Sequence, residues 1–200
     1  MPEKRLRKEN YGQETDEALM LACKKGDDIA FQELMHRYIS SVYNFADQYV
    51  RNKEDAEDIA QEAFFKTWRY VKRFKSGKKF KPWLFTIARN TALDYIKKKK
   101  PSLFSDFDDQ ETGITFAETI SDTEPLAPEL FEQTELGAEL SDALAVLHPE
   151  HRSVIVLRYH QQMTFEEIAE IVGKPMNTVK SWHRRALIRI RPLLAHRKGN

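Results

Sequence analysis

The sequence predicts an all-α chain: two small helical modules joined by an acidic flexible linker. Apolar residues recur at spacings of three and four along almost every segment, and no segment alternates at period two. Glycine and proline are few, 7 and 8 among 200 residues. Between the helical stretches lies residues 101–135, a tract with three prolines, no basic residue and little periodicity. So long a structureless stretch would be unusual inside one compact domain, which divides the chain in two.

Taken in order, the periodic segments are 16–25, 28–50, 54–74 and 82–100 in the first module, then 136–147, 150–160, 164–172 and 176–194 in the second. Asp16, Asp28 and Thr164 are the expected N-caps, with Glu167 completing a capping box on Thr164. Gly26 and Gly173 are the expected terminators. The modules are therefore bounded at 12–100 and 136–196, with 1–11 expected to be disordered and 197–200 a short tail.

A formal net charge of +1 conceals strong segregation. Residues 1–63 hold nine Lys/Arg against fourteen Asp/Glu, a net −5, whereas residues 64–100 hold thirteen against one, a net +12. Residues 101–150 hold none against thirteen, and residues 151–200 hold ten against three. Two basic blocks separated by an acidic stretch suit two polyanion-binding modules joined by a connector that repels polyanions. Simple solvation of charge does not account for fifty residues without a single Lys or Arg.

Residues 165–185, FEEIAEIVGKPMNTVKSWHRR, carry the spacing of a DNA-reading helix-turn-helix. Ala169 is small where two backbones meet, Gly173 tolerates positive φ in the turn, and Val179 closes the core from the second helix. Phe165, Ile168, Ile171 and Val172 form an apolar face, with Glu166, Glu167 and Glu170 opposite, and Pro175 suits a first-turn position. The second helix then presents Asn177, Thr178, Lys180, Ser181, Arg184, Arg185 and Arg189 without a carboxylate. Such a face donates to phosphates and base edges.

In the first module, the helix EDAEDIAQEAFFKTWRY turns Ala56, Ile59, Ala60, Ala63, Phe64 and Thr67 inward. Asp55, Glu57, Asp58, Gln61 and Glu62 form an acidic and amide cluster beside Phe65 and Trp68. Pairing with the helix dipole explains the first turn only. The continuation to Glu62 and the neighbouring aromatics suit a docking surface. Residues 74–100 interleave Phe74, Phe80, Trp83, Phe85 and Tyr95 with Lys75, Lys78, Lys79, Lys81, Arg89 and a Lys97–Lys100 run. Basic residues track a phosphate backbone and aromatic faces accept unstacked bases. Trp83, Leu84, Ile87 and Ala88 are expected mostly to pack; Phe74, Phe80 and their loop are the expected contacts to single strands.

Three blocks carry a family likeness: DAEDIAQEAFFKTW, FKPWLFTIARNTALDYIKKKK and LHPEHRSVIVLRYHQQMTFEEIAEIVGKPMNTVKSWHRRA. In this order they resemble bacterial RNA polymerase sigma factors, specifically the extracytoplasmic-function (ECF) group of the sigma-70 family, which keeps only the second and fourth conserved regions. The resemblance implies that Asp55, Asp58, Gln61, Glu62 and Phe65 grip the core polymerase. It implies that the Lys72–Lys81 loop captures a flipped base of the minus-ten element, with Lys75, Lys78, Lys79, Phe80 and Lys81 as contacts. Trp83, Arg89, Asn90 and Asp94 stand in the family's W-L-x-x-I-A-R-N-x-x-x-D pattern beside the opening strand. Thr178, Lys180, Ser181, Arg184 and Arg185 match positions on the minus-thirty-five duplex. Asn177, Trp182 and His183 depart from the usual Gly, Arg and aliphatic residue of the recognition helix, which bears on promoter preference.

The implied function is to direct core RNA polymerase to promoters and help open the DNA, in a stress or envelope response under an anti-sigma factor. The free chain is expected to be monomeric and cytoplasmic. The competing reading is a stand-alone helix-turn-helix transcription regulator, which would need a ligand pocket or dimer seam in residues 12–100. No catalytic residue, cofactor or metal is expected. Ser76-Gly77-Lys78-Lys79 lacks the remainder of a phosphate-binding loop, and the six histidines show no HExxH pattern. Cys23 stands alone and is expected to pack, so neither a disulfide within the chain nor a cysteine zinc site is available. The charged start lacks a following apolar stretch, and the Val154–Leu157 run is far too short to span a bilayer.

Overall fold

The structure is a computed structural model that describes residues 11–99 and 136–195. The expected linker at 101–135 and the expected disordered start and tail lie outside these residues, apart from Tyr11. The described residues form eight α-helices and two short 3-10 turns, and contain no strand. The first module holds α1 (Asp16–Lys24), α2 (Asp28–Val50), α3 (Lys53–Arg69) and α4 (Phe80–Lys99). The second holds α5 (Leu136–Ala145), α6 (Pro149–Tyr159), α7 (Phe165–Val172) and α8 (Met176–Ala195).

Capping fixes where these helices begin. Thr15, not Asp16, caps α1, its hydroxyl accepting from Ala18 N–H at 3.2 Å. Asp27, not Asp28, caps α2 and accepts from Ile29 and Ala30 N–H groups at 3.0 and 3.2 Å. In both pairs the acid one place further on sits in the first turn, where the helix dipole favours it. Asn52 caps α3 through Asp55 N–H at 3.0 Å. The expected helix 54–74 stops at Arg69 and tightens into a 3-10 turn at Val71–Arg73, which brings Phe74 into the core. Helix α4 starts at Phe80, whose N–H donates to the Glu17 carboxylate at 3.0 Å, a cap supplied from α1.

Helices α1 to α4 surround Leu19, Met20, Leu34, Phe45, Ile59, Phe64, Leu84 and Phe85. Cys23 is buried in the same core, as expected. The Arg37 guanidinium ties the start of the chain to α2, bonding Glu33 and Asp16 at 2.9 Å and the Tyr11 carbonyl at 2.6 Å. Helix α4 is buried almost all round, from Phe80 and Pro82 through Ala88, Arg89 and Thr91 to Ile96. The reason is that α2 and α3 pack on one side of it and α7 on another.

In the second module, Thr164 and Glu167 form the expected capping box on α7. Gly173 ends α7 in the left-handed region at φ 67°, with its N–H on the Ala169 carbonyl at 2.9 Å. A side chain there would be strained. Pro175 precedes α8 rather than entering it, and its carbonyl accepts from Val179 N–H at 3.1 Å. Val179, Trp182, Ala186 and Ile190 recur at three and four along the inner face of α8 and are buried with Ile168 and Ile171.

Candidate nucleic-acid interface and docking surface

Three surfaces collect the residues singled out from sequence. On α3, burial of Ala56, Ile59, Ala60, Ala63 and Phe64 turns Asp58, Gln61, Glu62 and Phe65 outward. Phe65 is 58% exposed, high for so large an apolar ring, and Trp68 beside it is 37% exposed while its ring leans on Phe31 at 4.9 Å. Asp58, Gln61, Glu62 and Phe65 line a shallow open depression with Thr91 and Tyr95 of α4. Asp55 does not join them as a free carboxylate. It accepts from the Tyr95 hydroxyl and Lys99 ammonium, both at 2.5 Å, and so clamps α3 to the end of α4. That bond raises the Lys99 pKa above its ordinary value.

The second surface is the loop between the 3-10 turn and α4. Gly77 turns it at φ 84°, and Lys75, Lys78 and Lys79 are exposed around the bend. The expected aromatic contacts are not there. Phe74 is 2% exposed and Phe80 fully buried. Phe80 lies edge-on to Tyr38 at 5.5 Å, and Phe74 to Trp83 at 5.2 Å. Sequence reasoning placed these rings outward because lysines surround them. They turn inward because they are the loop's only large apolar side chains, and burying each contributes roughly 1.5–3 kcal/mol. Trp83 is half-buried, matching its expected packing. Arg89, expected at the DNA strand, is 6% exposed and ion-paired with Glu150 of α6, while Asn90 is exposed.

The third surface is α8. Lys180 and Arg184 are exposed, and Thr178, Ser181 and Arg185 are half-buried on the rim of the same face. Trp182 is buried, with the His151 ring 5.6 Å away. His183 stacks on Tyr159, takes a 3.1 Å bond with its hydroxyl and meets Phe165 edge-on. Burial pushes the pKa of His183 down to about 4, and Arg158 adds to the shift. Burial also lowers His151 to about 4, followed by the charges of His148, Arg185 and Arg189. Both rings are neutral at pH 7 and pack against the rest of the module, and of the departures from the usual recognition-helix pattern Trp182 is buried and His183 half-buried.

The described residues contain no cluster of three or more His, Cys, Asp or Glu side chains able to hold a metal. Among them, no helix is long and apolar enough to cross a membrane.

An exposed acidic–aromatic helix, a basic loop and a helix-turn-helix are the parts of a DNA-binding transcription protein. Family comparison gives the same class. The sigma-70 region 2 profile matches residues 34–101, and the sigma-70 region 4 profile matches residues 143–192. The chain is 35% identical to the ECF RNA polymerase sigma factor SigW of Bacillus subtilis over 79% of its own length and 85% of that protein's. It is 34% identical to the ECF RNA polymerase sigma-E factor of Escherichia coli, covering 84% and 87%. Among solved structures, CnrH in complex with the cytosolic domain of CnrY shares the fold, with TM-score 0.67 and 24% identity over 92% of this chain and 99% of that one. The sigma factor RpoE of Bartonella quintana, in complex with the anti-sigma factor NepR, gives TM-score 0.62 and 26% identity over 82% and 96%. The chain belongs to the sigma-70 family of RNA polymerase sigma factors, in its ECF group.

Proposed function

We propose that this sigma factor docks on core RNA polymerase through α3 and recognises promoters with two DNA-facing surfaces, one in each module. The modules correspond to residues 12–100 and 136–196. Asp58, Gln61, Glu62 and Phe65 form the polymerase contact, and Asp55 holds α3 in place for it. Lys75, Lys78, Lys79, Lys81, Arg89 and Asn90 serve the minus-ten element, with Trp83 supporting their loop. Thr178, Lys180, Ser181, Arg184 and Arg185 serve the minus-thirty-five duplex. Phe80 is a packing residue rather than a base contact.

The observation that carries this reading is α3. An apolar ring more than half exposed beside the exposed carboxylates of Asp58 and Glu62 contributes little to the core of the chain and suits a protein partner. A stand-alone regulator would leave that face unexplained. The chemistry of initiation belongs to the polymerase, so the chain contributes binding and no catalytic group. Trapping non-template bases offsets part of the unstacking cost of a few kcal/mol per base. Two weak DNA contacts held on one polymerase gain avidity that neither has alone. The protein acts in the cytoplasm, and an anti-sigma factor holds it in check, as NepR binds RpoE.

Run-off transcription with purified core polymerase tests the reading. Added chain should start RNA at discrete promoters, and a regulator would support none without a separate sigma factor. Asp58→Lys with Glu62→Lys should abolish capture of the polymerase while the melting temperature stays within a degree or two. Undiminished capture would remove α3 as the docking surface.

A further inference from the structure

The basic loop between Phe74 and Phe80 is tied at both feet to one helix. At its start, the Lys24 ammonium of α1 donates to the Phe74 carbonyl at 2.8 Å. At its end, the Phe80 N–H donates to the Glu17 carboxylate of the same helix at 3.0 Å. Glu17 and Lys24 are about two helical turns apart, so they share a face of α1 and stand roughly 10 Å from each other along it. Both are half-buried. Neither belongs to the polymerase contact or to the DNA contacts assigned above, and the buried residues of α1 are Leu19, Met20 and Cys23.

Between these ties the loop is short and closed on itself. The Lys78 N–H donates to the Lys75 carbonyl at 3.2 Å across the bend at Gly77. On its inner side the Phe74, Trp83 and Phe80 rings meet at centroid distances of 5.2, 6.2 and 6.5 Å. The residues from Lys75 to Lys79 are all exposed. Lys78 and Lys79 also pair with Glu170 and Glu167 of α7, at 2.6 and 2.7 Å. Those lysine side chains are more than half exposed, and exposed ion pairs hold little. They engage side-chain tips, whereas the two bonds from α1 act on the loop's backbone. The shape of the loop is therefore set by α1 and by the three rings. A loop that already has its bound shape loses less conformational freedom when a base arrives.

We propose that Glu17 and Lys24 are positioning residues for promoter opening: from one face of α1 they hold both feet of the loop in the shape that takes up an unstacked base. The inference rests on the reading above of that loop as the minus-ten contact. Loss of either tie leaves the loop lysines in place but frees one foot. Selectivity for the base then falls, while polymerase capture and duplex binding by α8 persist. The requirement is for a donor at one foot and an acceptor at the other. Lys24→Arg keeps the donor and Glu17→Gln keeps an acceptor oxygen, so both should behave as the wild type; Lys24→Met and Glu17→Met should not.

The test uses the full chain bound to core polymerase, and DNA selected from a random-sequence library by that wild-type complex. Single abasic sites are placed along the non-template strand of the minus-ten segment, and binding of each DNA is measured for every variant. For the wild type, at least one abasic site should weaken binding roughly tenfold. In Lys24→Met, and in Glu17→Met with Lys24→Met, that penalty should shrink below about threefold, and Lys24→Arg and Glu17→Gln should show it in full. Asp27→Ala removes the cap of α2 and controls for lost stability without a lost tie; it should also keep the full penalty. Lys24→Met alone removes one bond at a half-buried position and carries the test if the double variant does not fold. A folded Lys24→Met with the wild-type penalty overturns the inference and leaves the sigma-factor reading standing. So does a wild type indifferent to every abasic site. A wild-type complex that selects no DNA overturns that reading, and this inference with it.

Discussion

Arg152 illustrates how single side chains hold the two modules together. Its buried guanidinium donates to the carbonyls of Ala145 at 2.9 Å, Leu147 at 3.2 Å and Gln48 at 2.9 Å. The first two close the end of α5; the third crosses to α2. Burial lowers its pKa, yet arginine stays charged at any physiological pH. Arg152→Met leaves three acceptors, one buried and two partly buried, without this donor, at a cost of about 3 kcal/mol. Thermal or urea unfolding should register that loss, and a change below about 1 kcal/mol would show that water replaces the guanidinium. Tyr49→Phe is milder, because Ser153 retains a 2.9 Å bond to the Pro149 carbonyl. A destabilisation of about 1 kcal/mol is expected from the same measurement. None of these contacts is legible in sequence, since nothing in the spacing pairs α2 with α6. The outward set on α3 was legible, because period 3.6 alone separates Phe65 from Phe64. Phe80 was not: periodicity gives a face of a helix, and Phe80 stands at a helix start where the loop geometry decides direction.

At the scale of elements, α8 depends on two histidines that must stay neutral. His151 and His183 are each lowered to about 4 from an ordinary value near 6.5, burial being the main cause. The unfolded chain therefore binds protons between pH 6.5 and 4 that the folded chain refuses. Stability from this source is fully present above pH 6.5 and is lost as pH falls toward 4. Both rings are only half-buried, so the loss is discounted for solvent to about 1–2 kcal/mol each. Melting curves should fall steadily from pH 7 to pH 5, and His183→Leu should flatten the slope by about half. An unchanged slope would mean that His183 is not the group responsible. Helix positions were legible to within a few residues because long periodic segments dominate. Caps were less so: Thr15 and Asp27 each stand directly before an aspartate, and the choice between neighbours is made by backbone angles. The early start of α4 depends on Glu17, which belongs to a different helix.

For the whole molecule, charge segregation was readable and its consequence was not. The sequence separates a basic first module from a second module whose only carboxylates beyond residue 150 are Glu166, Glu167 and Glu170. It does not say that two of those three meet Lys78 and Lys79. One signal was present: α4 carries apolar residues on nearly all its faces, more than a four-helix module needs to bury. Such a helix calls for cover on a second side, and α7 supplies it. This arrangement fixes how the chain should meet DNA. Free protein offers the recognition face of α8 while its basic loop is engaged, so a gel shift with promoter duplex should show only weak, salt-sensitive binding. Adding core polymerase should convert this to a specific complex. In the proposed reading, docking on the polymerase supplies the effective concentration that joins two weak contacts into one strong one. Asp58→Lys with Glu62→Lys should leave the weak binding of the free chain in place and abolish the conversion. Tight, sequence-specific binding by the free wild-type chain would instead place recognition in the second module alone, and would make the surface on α3 dispensable for promoter choice.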